Sequence, residues 1–305
     1  LAALVQTIQG KGIGRMQFTD ALFLLMSGLA QGSGYALVAI GFVFIYRATE
    51  IVNFAHGDLM MFGAFFALTF VSTWGFGFWP GVVLAVLAMG IFGFLLDALV
   101  MRRVVGESPS IVFILTVAIG VVLKALAGMI WGYPAQVLPS PLTGSVELAG
   151  IAISSSRLAI IAGMILCCVA LYAFLSRTML GLAIQAASQN QLAAYYSRVP
   201  VKLLISIVWG IGAMVAALAG VLMAPITQVS PEIASIGIKA LAGAVIGGFG
   251  SIPGAVLGCL LIGVAEPFLD YIYPPLQGVY AYAIMLIVLA VRPEGLLPQT
   301  FQKKV

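Results

Sequence analysis

Charge is what this 305-residue sequence has least of: Asp, Glu, Lys and Arg together make up 8% of it, where a soluble domain carries about a quarter. With 62% hydrophobic residues and a mean hydropathy of +1.16, too little polar surface remains to face water. That excludes a soluble globular domain and places the bulk of the chain against lipid. Histidine occurs once, at His56, and cysteine three times, at Cys167, Cys168 and Cys259. All three cysteines sit in apolar runs and two are adjacent, so neither a disulfide framework nor a metal site is expected. A single His without paired catalytic acids or a Ser or Cys nucleophile motif leaves no catalytic residue to name, which disfavours an intramembrane enzyme. A phosphate loop is missing too. Gly10-Lys11-Gly12 lacks the leading Gly at the required spacing and the Ser/Thr after Lys.

What is there is a series of apolar runs near the ~20 residues a helix needs to cross a bilayer. Segments near 21–46, 51–73, 78–100, 111–131, 157–176, 203–224, 232–249, 252–270 and 276–291 qualify. The seventh and eighth are short and nearly abut, as two tight spans or as one broken, re-entrant pair. The expectation is an all-α membrane protein: a polytopic bundle of about eight or nine transmembrane helices, broken or short near 232–270. Residues 21–292 form one transmembrane domain, followed by a tail over 293–305. Leu1 to Asp20 lacks the order of a signal peptide. Its Lys11, Arg15 and Asp20 alternate with apolar residues, as in a short helix lying on the membrane surface.

Cationic residues in short loops set orientation. Arg47, Arg102, Arg103, Arg177, Arg198, Lys202, Arg292, Lys303 and Lys304 fall on one side if nine spans are used, and that side is expected to be cytoplasmic, with the C-terminus on it. The outer loop 132–150 holds Pro134, Pro139 and Pro141 and reads as an extended cap.

Ionisable groups within spans are costly and are functional candidates by default. Asn53 and His56, three apart, are expected to share a helical face, lining a vestibule or bracing the turn after Arg47 and Glu50. Asp97 and Lys124 lie at different depths and are not expected to pair; Asp97 is expected to meet Arg102 or Arg103. Lys239 and Glu266 are expected to neutralise each other across neighbouring helices. Stripes such as Gly28-xxx-Gly32 and Gly243-xxx-Gly247 permit close helix approach. The break at Gly247, Gly248 and Gly250, before Pro253, reads either as part of a translocation path or as a packing turn. An ion-coupled secondary transporter would need carboxylates or broken-helix carbonyls at the bilayer midplane. The carboxylates here fall nearer the span ends.

The cytoplasmic segment 177–202 is rich in Ala, Leu and Gln without Pro until Pro200, so short helices are favoured there. It is too polar to span and ends in the aromatic pair Tyr195 and Tyr196, which suits docking. This segment, with Ile51-Val52-Asn53-Phe54-Ala55-His56-Gly57-Asp58, the stretch Lys239 to Ala255 and the closing Arg292-Pro293-Glu294-Gly295-Leu296, resembles the permease subunits of bacterial ABC importers for branched-chain amino acids. The resemblance covers about 20–300. It implies a channel-forming subunit in the inner membrane, paired with a homologous second permease, two cytoplasmic ATPase subunits and an external solute-binding protein, and no nucleic acid. It also implies no cofactor of the chain's own, ATP being used by a partner. Gln185, Ala186, Ala187, Gln189, Asn190, Ala194 and Tyr195 would then couple to the ATPase. The chain departs from the family pattern at Gln189, where an acidic residue is usual, and at Ser197-Arg198-Val199-Pro200. The implied cargo is leucine, isoleucine or valine, with urea, short amides and other small solutes carried by close relatives.

Overall fold

The computed structural model describes residues 18–104, 107–148, 151–189 and 191–297. The expected surface segment therefore lies outside the described residues up to position 17, and the expected tail does so from 298 onward. In chain order the helices are α1 (Phe18–Thr49), α2 (His56–Leu68), α3 (Phe78–Leu99), α4 (Pro109–Trp131), α5 (Ser155–Arg177), α6 (Met179–Gln189), α7 (Gln191–Tyr196), α8 (Val201–Thr227), α9 (Ile236–Gly247), α10 (Ile252–Ile272) and α11 (Tyr280–Val291). Among the described residues six are long and apolar enough to span: α1, α3, α4, α5, α8 and α10. The outer loop holds an antiparallel hairpin, β1 (Ser145–Leu148) with β2 (Ile151–Ser154), rather than only an extended cap.

Helices α1 and α8 form the axis, with 89% and 72% of their most apolar windows buried, against 28% for α3 and α5. Small residues admit them there. Gly28 and Gly32 of α1 lie against the backbone of Cys259, Leu260, Gly263 and Val264 of α10, so a Cβ at either position would overlap it. Gly93 of α3 meets α8 closely at Trp209 and Ala213, and Gly210 of α8 lies against the carbonyl of Gly90. This close approach is what stabilises helix pairs where lipid removes the hydrophobic drive between them. The pattern repeats inverted. The set α8, α9, α10, α11 runs in the order of α1, α2, α3, α4 but in the opposite direction, with α1 packed on α10 as α8 is packed on α3.

Each half contains one short helix that begins inside the bundle. Residues 51–73 are not one continuous helix: Glu50 takes a left-handed φ of 57°, and the chain runs non-helically to the start of α2 at His56. Asn53 precedes that helix, its Oδ1 accepting from the Ala55 amide at 3.1 Å, so the shared helical face expected for Asn53 and His56 does not form. In the second half a 3₁₀ turn, Pro231–Ser235, leads into α9. Its 12 residues reach about 18 Å, roughly half a bilayer. The two short helices start at one depth, with Gly57 and Gly237 in backbone contact.

One end of the bundle collects the cations. Arg102 donates to the Lys202 carbonyl, Tyr46 packs edge-on against Phe249 at 4.8 Å, and the Leu297 amide donates to Gly247 O at 3.0 Å. The ends of α1, α3, α5 and α11 and the starts of α4, α8 and α10 therefore lie together, with Arg47, Arg102, Arg103, Arg177, Arg198, Lys202 and Arg292 around them. Helix α1 begins, at Phe18, at the opposite end.

Candidate coupling face and translocation path

Helices α6 and α7 lie at the basic end, directly after α5. Thr178 closes α5 and opens α6 at once: its hydroxyl donates to Phe174 O at 2.7 Å and accepts from the Gly181 amide at 2.9 Å. Gly181 is required there, because a Cβ would overlap Phe174 O and Leu175 Cα as the chain doubles back. Gly181, Ile184 and Ala187 face inward. Gln185 is also turned inward, its Nε2 donating to Leu175 O at 2.7 Å. On the far side Met179 (86% exposed), Leu182, Ala186 and Gln189 form a stripe at helical spacing. Tyr196 of α7, 79% exposed, adds to that surface, while Ala194 is buried.

Among the residues expected to couple, then, Ala186 and Gln189 are presented outward, and Gln185, Ala187 and Ala194 hold the helices to the bundle. Asn190 and the side chain of Tyr195 lie outside the described residues. Met179 and Leu182 were missed by the sequence reading, although the 3–4 spacing of the stripe was there to be read.

Beneath this segment a cavity of about 630 Å³ reaches up between α1, α3, α4 and α8, lined by Glu50, Val52, Phe54, Asp97, Gln189 and Trp209 among others. Asp97 accepts from Ser206 Oγ at 2.6 Å, and Arg102 stands 4.0 Å from the same carboxylate while donating to Ser206 Oγ, as expected of that inner-interface pair. Asn53 and His56 point away from the cavity into the core, at 2% and 0% exposure. The His56 ring occupies the space left by Gly41 and packs on Phe42 at 4.6 Å between centroids.

The break at Gly247, Gly248 and Gly250 lies at the basic end, not at mid-depth. Gly247 and Gly254 touch through their backbones, and Gly248 takes a φ of 101°. The carbonyls of Ile246 and Gly247 accept from the Leu296 and Leu297 amides at 2.8 and 3.0 Å, so the segment after α11 satisfies the break.

Toward the opposite end a second cavity of about 290 Å³ is bordered by Gln31, Tyr35, Arg157, Met223 and Lys239. Lys239 Nζ meets Glu266 Oε1 at 2.5 Å, the cross-helix pair expected from the sequence. The other carboxylate oxygen accepts from Tyr35 at 3.0 Å and Gln31 at 3.2 Å, so the buried charge is fully partnered. Lys124 does not pair with Asp97. It meets Glu232 at 3.0 Å instead.

Glycine-packed axial helices, two half-helices meeting inside the bundle and a pair of short helices at its basic end together make an architecture suited to translocation. Residues 24–289 match the family described as branched-chain amino acid transport system / permease component. The chain belongs to this family. It is 33% identical over 297 residues to the high-affinity branched-chain amino acid transport system permease protein BraD of Pseudomonas aeruginosa, covering 92% of this chain and 97% of that one. Identity to LivH of Escherichia coli, described in the same terms, is 29% over 305 residues, covering 95% and 99%. Among solved structures, PsaBC from Streptococcus pneumoniae in complex with Fab superposes with a TM-score of 0.50 at 12% identity, over 89% of this chain and 92% of that one. That likeness concerns the fold alone. The family's members are transport subunits and not enzymes, and this one is a multi-pass membrane protein.

Proposed function

We propose that the chain is the membrane-spanning permease subunit of an ATP-driven importer, passing branched-chain or other hydrophobic amino acids received from an external binding protein. The observation that carries this reading is the outward stripe Met179, Leu182, Ala186, Gln189 with Tyr196, set on two short helices of which the first is braced to α5 from behind by Gln185. An apolar helical face at the basic end, too short to span, supports docking to a soluble motor, and the adjoining cavity between α1, α3, α4 and α8 gives movement there a place to act. The basic end faces the cytoplasm of a bacterial inner membrane by the distribution of Lys and Arg. Two ATPase subunits bind there, and a homologous second permease completes the path. Purified with those subunits and its binding protein in proteoliposomes, the complex takes up leucine only with ATP inside. Uptake that follows an ion gradient without ATP refutes the reading, and uptake of urea or acetamide in place of leucine reassigns the cargo.

A further inference from the structure

The ion pair between Lys124 and Glu232 is on the outside of the bundle at a depth where lipid would be. Helix α4 runs 23 residues from Pro109 to Trp131, about 34 Å, so it matches the hydrocarbon thickness. Lys124 lies about 10 Å below its Trp131 end. Its side chain leans toward the helix N-terminus, as helical side chains do, and hence toward the bilayer centre rather than up to the interface. Glu232 comes from the 3₁₀ turn that enters the bundle before α9, and 78% of its side chain is exposed, with 41% for Lys124. Half-buried Asp58, at the start of α2, reaches the same face against Gly120, the midpoint of α4, so this carboxylate lies at mid-depth and not near a span end as expected. Its carboxylate is in electrostatic range of Lys124.

Lipid does not tolerate such a set, and charges at this depth face a water-filled cavity or another protein. We propose that the face formed by α4, the 3₁₀ turn and the start of α2 lines an aqueous conduit at the seam with the second permease, and that Lys124, Glu232 and Asp58 form a transit site for a zwitterionic amino acid. This rests on the importer reading above. The chemistry is an exchange of ion pairs. The solute carboxylate takes the place of Glu232 on Lys124, and its ammonium takes the place of Lys124 on Glu232, with Asp58 as a second carboxylate beneath. One pair is opened for each pair formed, so binding is weak, as passage requires. Gly120 keeps α4 clear of Asp58, and Gly57 and Gly237 let the two half-helix starts close the floor behind it.

The test uses the assembled importer in a Cys167→Ala/Cys168→Ala background, Cys259 being fully buried. Lys124→Cys and Glu232→Cys are exposed to a charged, membrane-impermeant methanethiosulfonate, with Leu166→Cys, on α5 and 69% exposed, as the lipid-facing control. Both seam positions react at least about tenfold faster than the control, because only they meet water. Separately, Lys124→Met and Glu232→Gln each lower leucine uptake about tenfold or more, while both variants still co-purify with the ATPase subunits. Seam thiols as slow as the control overturn the conduit, and variants that transport leucine at the normal rate overturn the transit site. If the unaltered importer carries urea and not leucine, the cargo assignment and the zwitterion site fall together, and thiol reactivity still decides the conduit.

Discussion

Removing Lys239 separates a structural ion pair from an ornamental one. Glu266 is 2% exposed, and its oxygens hold Lys239 on one side and Tyr35 with Gln31 on the other. Breaking a buried pair by deleting one member costs about 3–5 kcal/mol, because a charge is left behind without its counter-ion. Lys239→Met keeps most of the side-chain length, and Tyr35 and Gln31 still donate to the carboxylate, so a loss of about 3 kcal/mol is expected. Glu266→Gln strands the ammonium instead and costs a similar amount. The double variant buries no charge, and the introduced amide oxygen still accepts from Tyr35. Its loss is therefore about 3 kcal/mol or less rather than about 6, a coupling of about 3 kcal/mol. Denaturant or thermal unfolding of the four proteins in one detergent, followed by Trp fluorescence, gives the cycle. Additive losses refute the reasoning, and would mean that Lys239 is held by water or lipid headgroups.

Gly41→Ala places a methyl where the His56 ring lies, and loses about 1–3 kcal/mol of stability; adding His56→Ala recovers part of it, as unfolding of the single and double variants shows. Ser206→Ala removes the hydroxyl between Asp97 and Arg102 and costs about 1–3 kcal/mol by the same measurement. On the coupling face, Leu182→Glu or Ala186→Glu leaves unfolding unchanged but abolishes co-purification with the ATPase subunits, whereas Gln185→Ala lowers stability by about 1 kcal/mol through the lost bond to Leu175. A Leu182→Glu protein that still binds the ATPase places the docking surface elsewhere.

The membrane class, the positions of the six long spans and the pair Lys239–Glu266 were legible because they follow from local quantities: apolar run length, charge placement and depth along a helix. The glycine stripes were legible as well, and Gly28 and Gly32 make the contact with α10 that their spacing suggested. Of the half-helices, α9 was legible as a short segment within the break expected near 232–270, and α2 was not. Nothing in the apolarity of 51–73 marks the late start at His56, since Ile51, Val52 and Phe54 are as hydrophobic as a span and are turned out of the helix only by Glu50 and Asn53. Gln185 was expected at a partner's surface because its segment resembles the family's coupling region. Its amide is instead engaged with a carbonyl ten residues back, a choice that only the reversal at Gly181 makes possible. Lys124 was seen as a lone charge, because its partner Glu232 arrives over a hundred residues later.

The packing of α1 against α10 also bears on how the chain is made. Gly28 and Gly32 wait for Cys259 and Gly263, so this helix acquires its main neighbour only after the intervening helices have been made. Until then a 32-residue helix that will become the axis stands in lipid with its glycine groove open, and α2 has no Gly237 to rest on until α9 emerges. Contacts so distant along the chain close slowly and leave their surfaces unprotected meanwhile. A nascent chain halted before α10 thus leaves the groove of α1 uncovered, although most of its membrane segments are already in place. The axis of the bundle is therefore completed only when α10 arrives.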